Sequence, residues 1–168
     1  MRVGVNNLTY MDYYLDELVI NLNGINTAGL MDTWLWLIKD FKEILMISKL
    51  GDLFFIGYDD CIYWLATDMC DLSKVADNKQ EFYSFLNDDE KVDNWFMPQL
   101  LKELEDACIY LGDHQVYSYK KMPVLGGEYT IDNLKPVDIK GHFELTGIIG
   151  EQIKDLPNGT NVKIKIVD

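Results

Sequence analysis

Hydrophobic positions along this chain change period several times, and each change marks an element. Over residues 10–20, Met11, Tyr14, Leu15, Leu18 and Val19 recur at helical spacing while Asp12, Asp16 and Glu17 take the other face, so a short helix is expected. Asn and Gly in residues 21–29 supply turn conformations that end it. The apolar run at residues 33–39, with Trp34, Trp36 and Ile38, is short and rich in aromatic and β-branched side chains. It reads as a buried strand, with a helical turn following at residues 40–44. Residues 48–66 read as a meander: Leu53-Phe-Phe-Ile and Cys61-Ile-Tyr-Trp-Leu are strand runs, and Gly57-Tyr-Asp-Asp between them is a hairpin connection.

An acidic turn at residues 67–73 precedes a short strand near Lys74-Val-Ala. Asn78 with Glu81 three residues on is a capping-box pattern, and the helix it opens presents Phe82, Phe85 and Leu86 on one face. Asn94 is read as the N-cap of a longer helix through Tyr110, with Trp95, Phe96, Leu100, Leu101, Leu104, Cys108 and Leu111 on one side and Gly112 as its stop. That helix is expected to cover the apolar face of the strands in residues 48–76, with Trp64, Phe96, Leu100 and Leu104 in one core. Residues 115–119 read as a strand, Pro123, Gly126 and Gly127 as a loop, and residues 129–139 as extended. Phe143, Leu145, Ile148, Ile149 and Ile153 suit an amphipathic helix. Pro157-Asn-Gly turns into a last strand at residues 161–167, where Val162, Ile164 and Ile166 alternate with lysines. Helices and strands mix without a βαβ rhythm, so the predicted class is α+β, an antiparallel sheet with helices packed on it in a single compact unit.

At 168 residues the chain is long enough for a substantial core. No apolar run reaches the roughly 20 residues that span a bilayer, and the first residues lack an apolar stretch ending in a cleavage site. Cys61, Cys70 and Cys108 are few, odd in number and without CxxC spacing, and each has apolar neighbours. Buried free thiols in a cytoplasmic protein are expected.

The formal net charge is −13, and it is unevenly spread. Residues 52–93 carry eleven acids against three lysines, and Arg2 is the sole arginine. Phosphate neutralisation needs clustered Lys and Arg, so direct contact with nucleic acid or an anionic membrane is disfavoured. An acidic middle attracts a basic partner instead, although such acids also serve simply to keep a protein in solution.

Catalytic and metal motifs are missing. His114 and His142 lie in different elements without a second ligand at helical spacing. Asp59-Asp60 and Asp88-Asp89-Glu90 lack the EF-hand spacing and its central Gly. There is no Gly-x-Ser-x-Gly, no cysteine with an adjacent activating His, and Gly126-Gly127 is followed by Glu128 where a phosphate loop needs Lys. No catalytic residue, metal ligand or cofactor is therefore assigned, and the chain does not read as an enzyme.

Several segments carry a family resemblance. Gly51-Asp-Leu-Phe-Phe, Ile62-Tyr-Trp-Leu and Val75-Ala-Asp-Asn-Lys-Gln-Glu-Phe resemble the GAD-like domain, and Asn23-Gly-Ile-Asn-Thr-Ala-Gly-Leu is similar to a loop of SUKH-type immunity proteins. Leu111-Gly-Asp-His-Gln-Val-Tyr-Ser-Tyr, Pro123-Val-Leu-Gly-Gly-Glu-Tyr-Thr-Ile-Asp-Asn-Leu, Val137-Asp-Ile-Lys-Gly-His-Phe and Ile149-Gly-Glu-Gln-Ile-Lys-Asp-Leu-Pro-Asn-Gly-Thr resemble the C-terminal domain of immunity proteins that neutralise type VI secretion DNase toxins. The resemblance implies a SUKH-like fold, a GAD-like half at residues 1–94 and an immunity-protein domain at residues 95–168. It also implies a cytoplasmic bacterial protein that binds and blocks a toxin. A general interaction module with an endogenous partner is the alternative. Gly126, Gly127, Asn133, Pro157 and Gly159 in these segments suit turns and bends.

The charge distribution then selects a candidate partner-binding surface. Asp59, Asp60, Asp68 and Asp71 fall at turns of the acidic stretch, with Tyr58 as an aromatic anchor for a basic nuclease toxin. Phe54, Ile56, Ile62 and Trp64 between them are expected to be mostly buried.

Overall fold

The computed structural model describes residues 14–163. A helical segment, α1, occupies residues 14–18, so the predicted first helix is present over its described part and residues 10–13 lie outside. A 3-10 turn at Asp32–Trp34 follows. Four strands, β1 (Glu43–Ile47), β2 (Leu53–Ile56), β3 (Ile62–Ala66) and β4 (Asp71–Ala76), form an antiparallel sheet in sequence order. Three helices come next: α2 (Lys79–Phe85), α3 (Asp89–Phe96) and α4 (Pro98–Asp106). Strands β5 (Gln115–Tyr119) and β6 (Leu134–Asp138) pair antiparallel as a second sheet, and α5 (Ile139–Ile153) follows. The architecture is the predicted α+β unit, consistent with a SUKH-like arrangement.

The four-stranded sheet is buried on both faces, which is why Leu53-Phe-Phe-Ile is a continuous apolar run and not an alternation. Side chains of alternate parity point opposite ways. Leu53, Phe55, Leu65 and Ile47 meet Leu30, Trp34 and Ile38 together with Ile139 and Phe143 of α5. Phe54, Ile56, Ile62 and Met46 face Phe82 of α2, Val92, Trp95 and Phe96 of α3, and Leu18 of α1. Phe54 is the hub of this aromatic layer, with ring centroids 5.3 Å from Phe82, 5.4 Å from Phe96 and 5.7 Å from Trp95. A third cluster joins Leu100 and Leu104 of α4 to Leu50, Tyr117, Tyr119 and Leu134.

Several sequence expectations are corrected here. The run at residues 33–39 is not a strand. Its indoles reach sideways: Trp34 Nε1 donates to the Phe143 carbonyl at 3.1 Å and Trp36 Nε1 to the Gly147 carbonyl at 3.2 Å. That long-range grip on α5 overrides local β propensity. The helical turn expected at residues 40–44 is replaced by the start of β1, where Lys42 N donates to the Ile56 carbonyl. The single helix from Asn94 to Tyr110 is two helices. Pro98 has no N–H to continue α3, so Met97 swings to φ 47° and Pro98 becomes the first residue of α4. Chain reversal after α4 comes at Cys108, at φ 58°, before Gly112. The break also divides the expected core: Phe96 packs near Trp64 on the sheet, whereas Leu100 and Leu104 belong to the third cluster. Trp64 is half-buried, unlike Phe54, Ile56 and Ile62. Cys61 is buried and Cys70 partly so, but Cys108 is exposed. The predicted last strand falls mostly on residues outside those described, and residues 161–163 carry no regular structure.

The capping signal holds. Asn78 Oδ1 accepts from Glu81 N at 2.9 Å, while Glu81 reaches back to Asp77 N at 2.6 Å.

Candidate functional site

The β2–β3 hairpin presents Tyr58 with 70% of its surface exposed. Gly57 makes the turn tight: a Cβ there would lie 2.5 Å from Asp59 Oδ1 and 2.9 Å from the Tyr63 ring. Asp59 accepts from Cys61 N at 3.1 Å and from the Tyr63 hydroxyl at 2.9 Å, and the latter bond chiefly holds its carboxyl below the usual carboxylate range. Asp60, at φ 63°, pairs with Lys42 at 2.6 Å. Two more ion pairs, Lys74–Asp77 and Lys79–Glu43, lie at the same end of the sheet. Each is solvent-exposed and screened by water, so none contributes much to stability. The hairpin is therefore a surface of mixed sign around a tyrosine, less acidic than sequence counting implies.

Asp68 and Asp71 are elsewhere. Ala66 pairs with Asp71 and Ile62 with Ala76, so these two aspartates occupy the end of β3 opposite the hairpin. Five strand residues separate the ends by roughly 15 Å. Asp71 is exposed and accepts from Ser73 Oγ at 2.9 Å. Asp68 is only 7% exposed, which corrects the expectation that it sits on an open loop.

Asp68 instead borders a buried polar joint that sequence reasoning did not assemble. His142 of α5, 2% exposed, sits between the two sheets. Its Nε2 donates to the Gly51 carbonyl at 3.1 Å, which fixes the tautomer, so Nδ1 accepts from Ser118 Oγ at 2.9 Å. The Thr67 hydroxyl oxygen lies 3.1 Å from Nε2 and donates to Asp52 Oδ1 at 3.1 Å. Asp52 also accepts from Thr67 N at 2.9 Å and Trp64 Nε1 at 3.3 Å. Burial, and then the neighbouring Asp68 charge, raises the Asp52 carboxyl well above its ordinary range. Burial likewise raises Asp68, against a hydrogen bond from Tyr129. Burial lowers His142 to about 4, so it is neutral at pH 7.

A serine, a histidine and an aspartate in one chain of contacts invite comparison with a catalytic triad. The wiring differs. The ring nitrogen facing away from Ser118 meets a backbone carbonyl and a threonine, where a triad places the carboxylate. Ser118 is 6% exposed, His142 2% and Asp52 7%, so all three are closed off from solvent. The arrangement ties the β1–β2 turn and β3–β4 turn to β5 and α5.

The signature residues of the last third also act on backbone. Asn133 Nδ2 donates to the carbonyls of Lys121 at 2.9 Å and Glu128 at 2.8 Å, while its Oδ1 accepts from Lys121 N at 2.9 Å. Gly127 leaves room for this staple, since a Cβ would lie 1.8 Å from the Lys121 carbonyl oxygen. Gly126 and Gly159 hold positive φ, and Thr160 closes the last turn on the Pro157 carbonyl. No group of three His, Cys, Asp or Glu side chains among the described residues is placed to hold a metal ion. No described helix is long and apolar enough to cross a membrane.

Comparison with known proteins adds two findings. Residues 76–150 match the family model of the C-terminal domain of the T6SS immunity protein Tdi1, which supports a relationship to type VI secretion immunity proteins. No curated protein matches the chain. Among solved structures it is similar to Atu4351 from Agrobacterium tumefaciens, at 18% identity over 84% of this chain and 75% of that one, with a TM-score of 0.53. At that identity the likeness is one of fold.

Proposed function

We propose that this chain is an immunity protein that binds and neutralises a toxin delivered by a type VI secretion system. The match of residues 76–150 to an immunity-protein family carries the reading. The chain acts in the cytoplasm, its residues 1–94 are the GAD-like half, and its target is a basic nuclease. The net charge of −13 supports a basic target, because an acidic face both accelerates encounter with a positive cleft and shields it. The hairpin residues Tyr58, Asp59 and Asp60 form one contact region, with Asp71 reached at the other end of β3. Asp68 serves this surface from within, by holding Tyr129.

The test is co-purification of the chain with toxins encoded beside its gene, followed by association kinetics. A stable complex that abolishes toxin activity is expected. Asp59→Lys with Asp60→Lys should slow association and flatten its salt dependence with the fold intact, and Tyr58→Ala should speed dissociation. Failure of every neighbouring toxin to bind would overturn the immunity reading. A complex indifferent to the hairpin changes would move the interface away from Tyr58.

A further inference from the structure

The two lateral edges of the four-stranded sheet are treated differently. At the Ile47 end of β1 the chain closes its own edge: Ile20 N donates to the Ile47 carbonyl at 3.0 Å, and Lys49 N donates to the Leu18 carbonyl at 2.8 Å. β4 stands at the other end of the strand order and pairs with β3 alone. Among the described residues no other backbone group bonds the main chain of Asp71–Ala76. An edge of this kind is a row of unpaired donors and acceptors. Its blunting is confined to one end. Ile62 pairs with Ala76 and Tyr63 with Lys74, so Val75 is an extra, bulged residue, and the exposed Lys74 is tied to Asp77 at 2.6 Å. From Asp71 to Lys74 the register is regular.

Beside that regular run lies a groove of about 690 Å³, with Trp64, Ser73 and Val75 along the sheet and Lys91, Asn94 and Trp95 of α3 facing them. One row of the sheet explains it. Phe54 pairs with Trp64, and Trp64 with Ser73, so the three side chains share the face that α2 and α3 cover. The Phe54 and Trp64 rings stack with centroids 6.2 Å apart, but Ser73 is too short to continue the row. Trp64 is therefore left half-buried, whereas Phe54 is fully buried. Lys91 does not fill the gap, because its Nζ lies over the Phe85 ring of α2, 4.4 Å from the centroid. Asp88 and Glu90 in the wall are matched by Lys74 and Lys91, so charge does not select the occupant.

We infer that the outer edge of β4 takes an extended segment of a protein partner as a fifth strand, with an aliphatic side chain of that segment entering the groove beside Trp64 and Ser73. Only an extended backbone satisfies a strand's alternating N–H and C=O groups in register. The residue opposite Ser73 on such a strand has its Cβ about 5 Å from that of Ser73 and on the same face, beside the uncovered part of Trp64. An aliphatic side chain there continues the Phe54–Trp64 row. A second copy fits poorly. Symmetric antiparallel pairing of two β4 strands would set Asp71 and Ser73 against Trp64, and would join two chains that each carry a net charge of −13. The inference rests on reading the chain as a binding protein and names how its partner engages it.

The test titrates the peptide acetyl-Lys-Thr-Val-Thr-Val-Thr-Lys-amide into the full isotope-labelled chain, followed by amide and indole shifts. Shifts should concentrate at residues 71–76 and 90–95 and at the Trp64 indole N–H. Alternate amides within residues 71–76 should gain protection from hydrogen exchange. Successive residues of a strand turn their N–H groups to opposite edges, so two N-methylated peptides decide the mode. One is methylated on both valine nitrogens, the other on the threonine after each valine. One of the pair should bind at least tenfold more weakly, and the other within a few-fold of the parent. Serine in place of both valines should also weaken binding at least tenfold. Ser73→Phe, which puts a ring into the groove, should do the same with the melting temperature kept; if that variant fails to fold, the N-methyl pair decides by itself. Equal effects of the two methylations, or no shifts at residues 71–76, would overturn the inference. Binding that appears only when residues 164–168 are deleted would assign the edge to the chain's own tail. A concentration-dependent dimer lost in Ser73→Phe, without peptide binding, would assign it to a second copy, and either result overturns a foreign partner. No toxin enters this experiment, so its failure leaves the immunity reading standing, and failure of toxin co-purification leaves the peptide result intact.

Discussion

His142 Nε2 stands 3.1 Å from the carbonyl oxygen of Gly51 and occupies the volume that a side chain at Gly51 would need. A Cβ there would fall 2.2 Å from that nitrogen, on a backbone at φ +85°. One residue thus supplies both the acceptor that sets the histidine tautomer and the vacancy that admits the ring. Gly51→Ala should destabilise the protein by about 2–4 kcal/mol, combining left-handed backbone strain with overpacking. Chemical denaturation of the variant checks this, and an unchanged midpoint would mean that the joint yields freely.

The same histidine gives a pH signature. Its folded value of about 4 lies below the ordinary 6.5, so the unfolded chain takes up this proton first as pH falls. The stabilisation is complete above pH 6.5 and is lost between 6.5 and about 4, to a total of up to about 3 kcal/mol. Asp52 and Asp68, raised by burial, work in the opposite sense, because their stabilisation is lost as pH rises. Comparing the wild type with His142→Gln cancels the aspartates to first order. The wild type should show the steeper loss of stability between pH 6.5 and 4, read from urea midpoints.

Leu104 is fully buried in the cluster that joins α4 to β5 and β6. Leu104→Ala should cost about 2–5 kcal/mol. None of the four tryptophans belongs to that cluster, so tryptophan fluorescence of the folded variant should match the wild type. A shifted folded-state spectrum would show the two clusters to be one.

The three thiols should separate kinetically. Cys108 is exposed, and Cys70 is pushed up to about 12 by burial and then by the Asp68 charge. At pH 8 roughly one Cys70 in 10⁴ is thiolate, so it reacts orders of magnitude more slowly. Dithionitrobenzoate should modify one thiol per native chain rapidly and all three only in denaturant. Mass spectrometry should place the fast adduct on Cys108.

Much of the fold was legible in the sequence because its signals are local. The 53–66 hairpin follows from two apolar runs around a Gly-Tyr-Asp-Asp connection, and α2 begins where Asn78 and Glu81 say it should. What was illegible depends on contacts far apart in the chain. Nothing near Trp34 and Trp36 announces that their partners are carbonyls more than a hundred residues away. Pro98 was a readable signal of a helix break, and the apolar spacing on either side of it masked that signal. The candidate site suffered most. Tyr58 and Asp71 are near in sequence, but a meander sends successive turns to opposite ends of the sheet.

The seam between the Thr33–Trp36 segment and α5 has a consequence for how the protein is made. Gly147 and Gly150 let α5 approach until a Cβ on either would strike Thr33 or Trp36, and Phe143 completes the layer over Leu53, Phe55 and Leu65. One face of the N-terminal sheet, covered from the N-terminal side only by the segment around Leu30, Trp34 and Ile38, therefore stays incompletely covered while the ribosome is still adding residues 139–150. Domains that close within their own stretch of sequence can fold as they emerge. This one must wait for α5, so a nascent chain exposes part of an apolar sheet face until residues 139–150 have left the ribosome, and only then presents the folded surface.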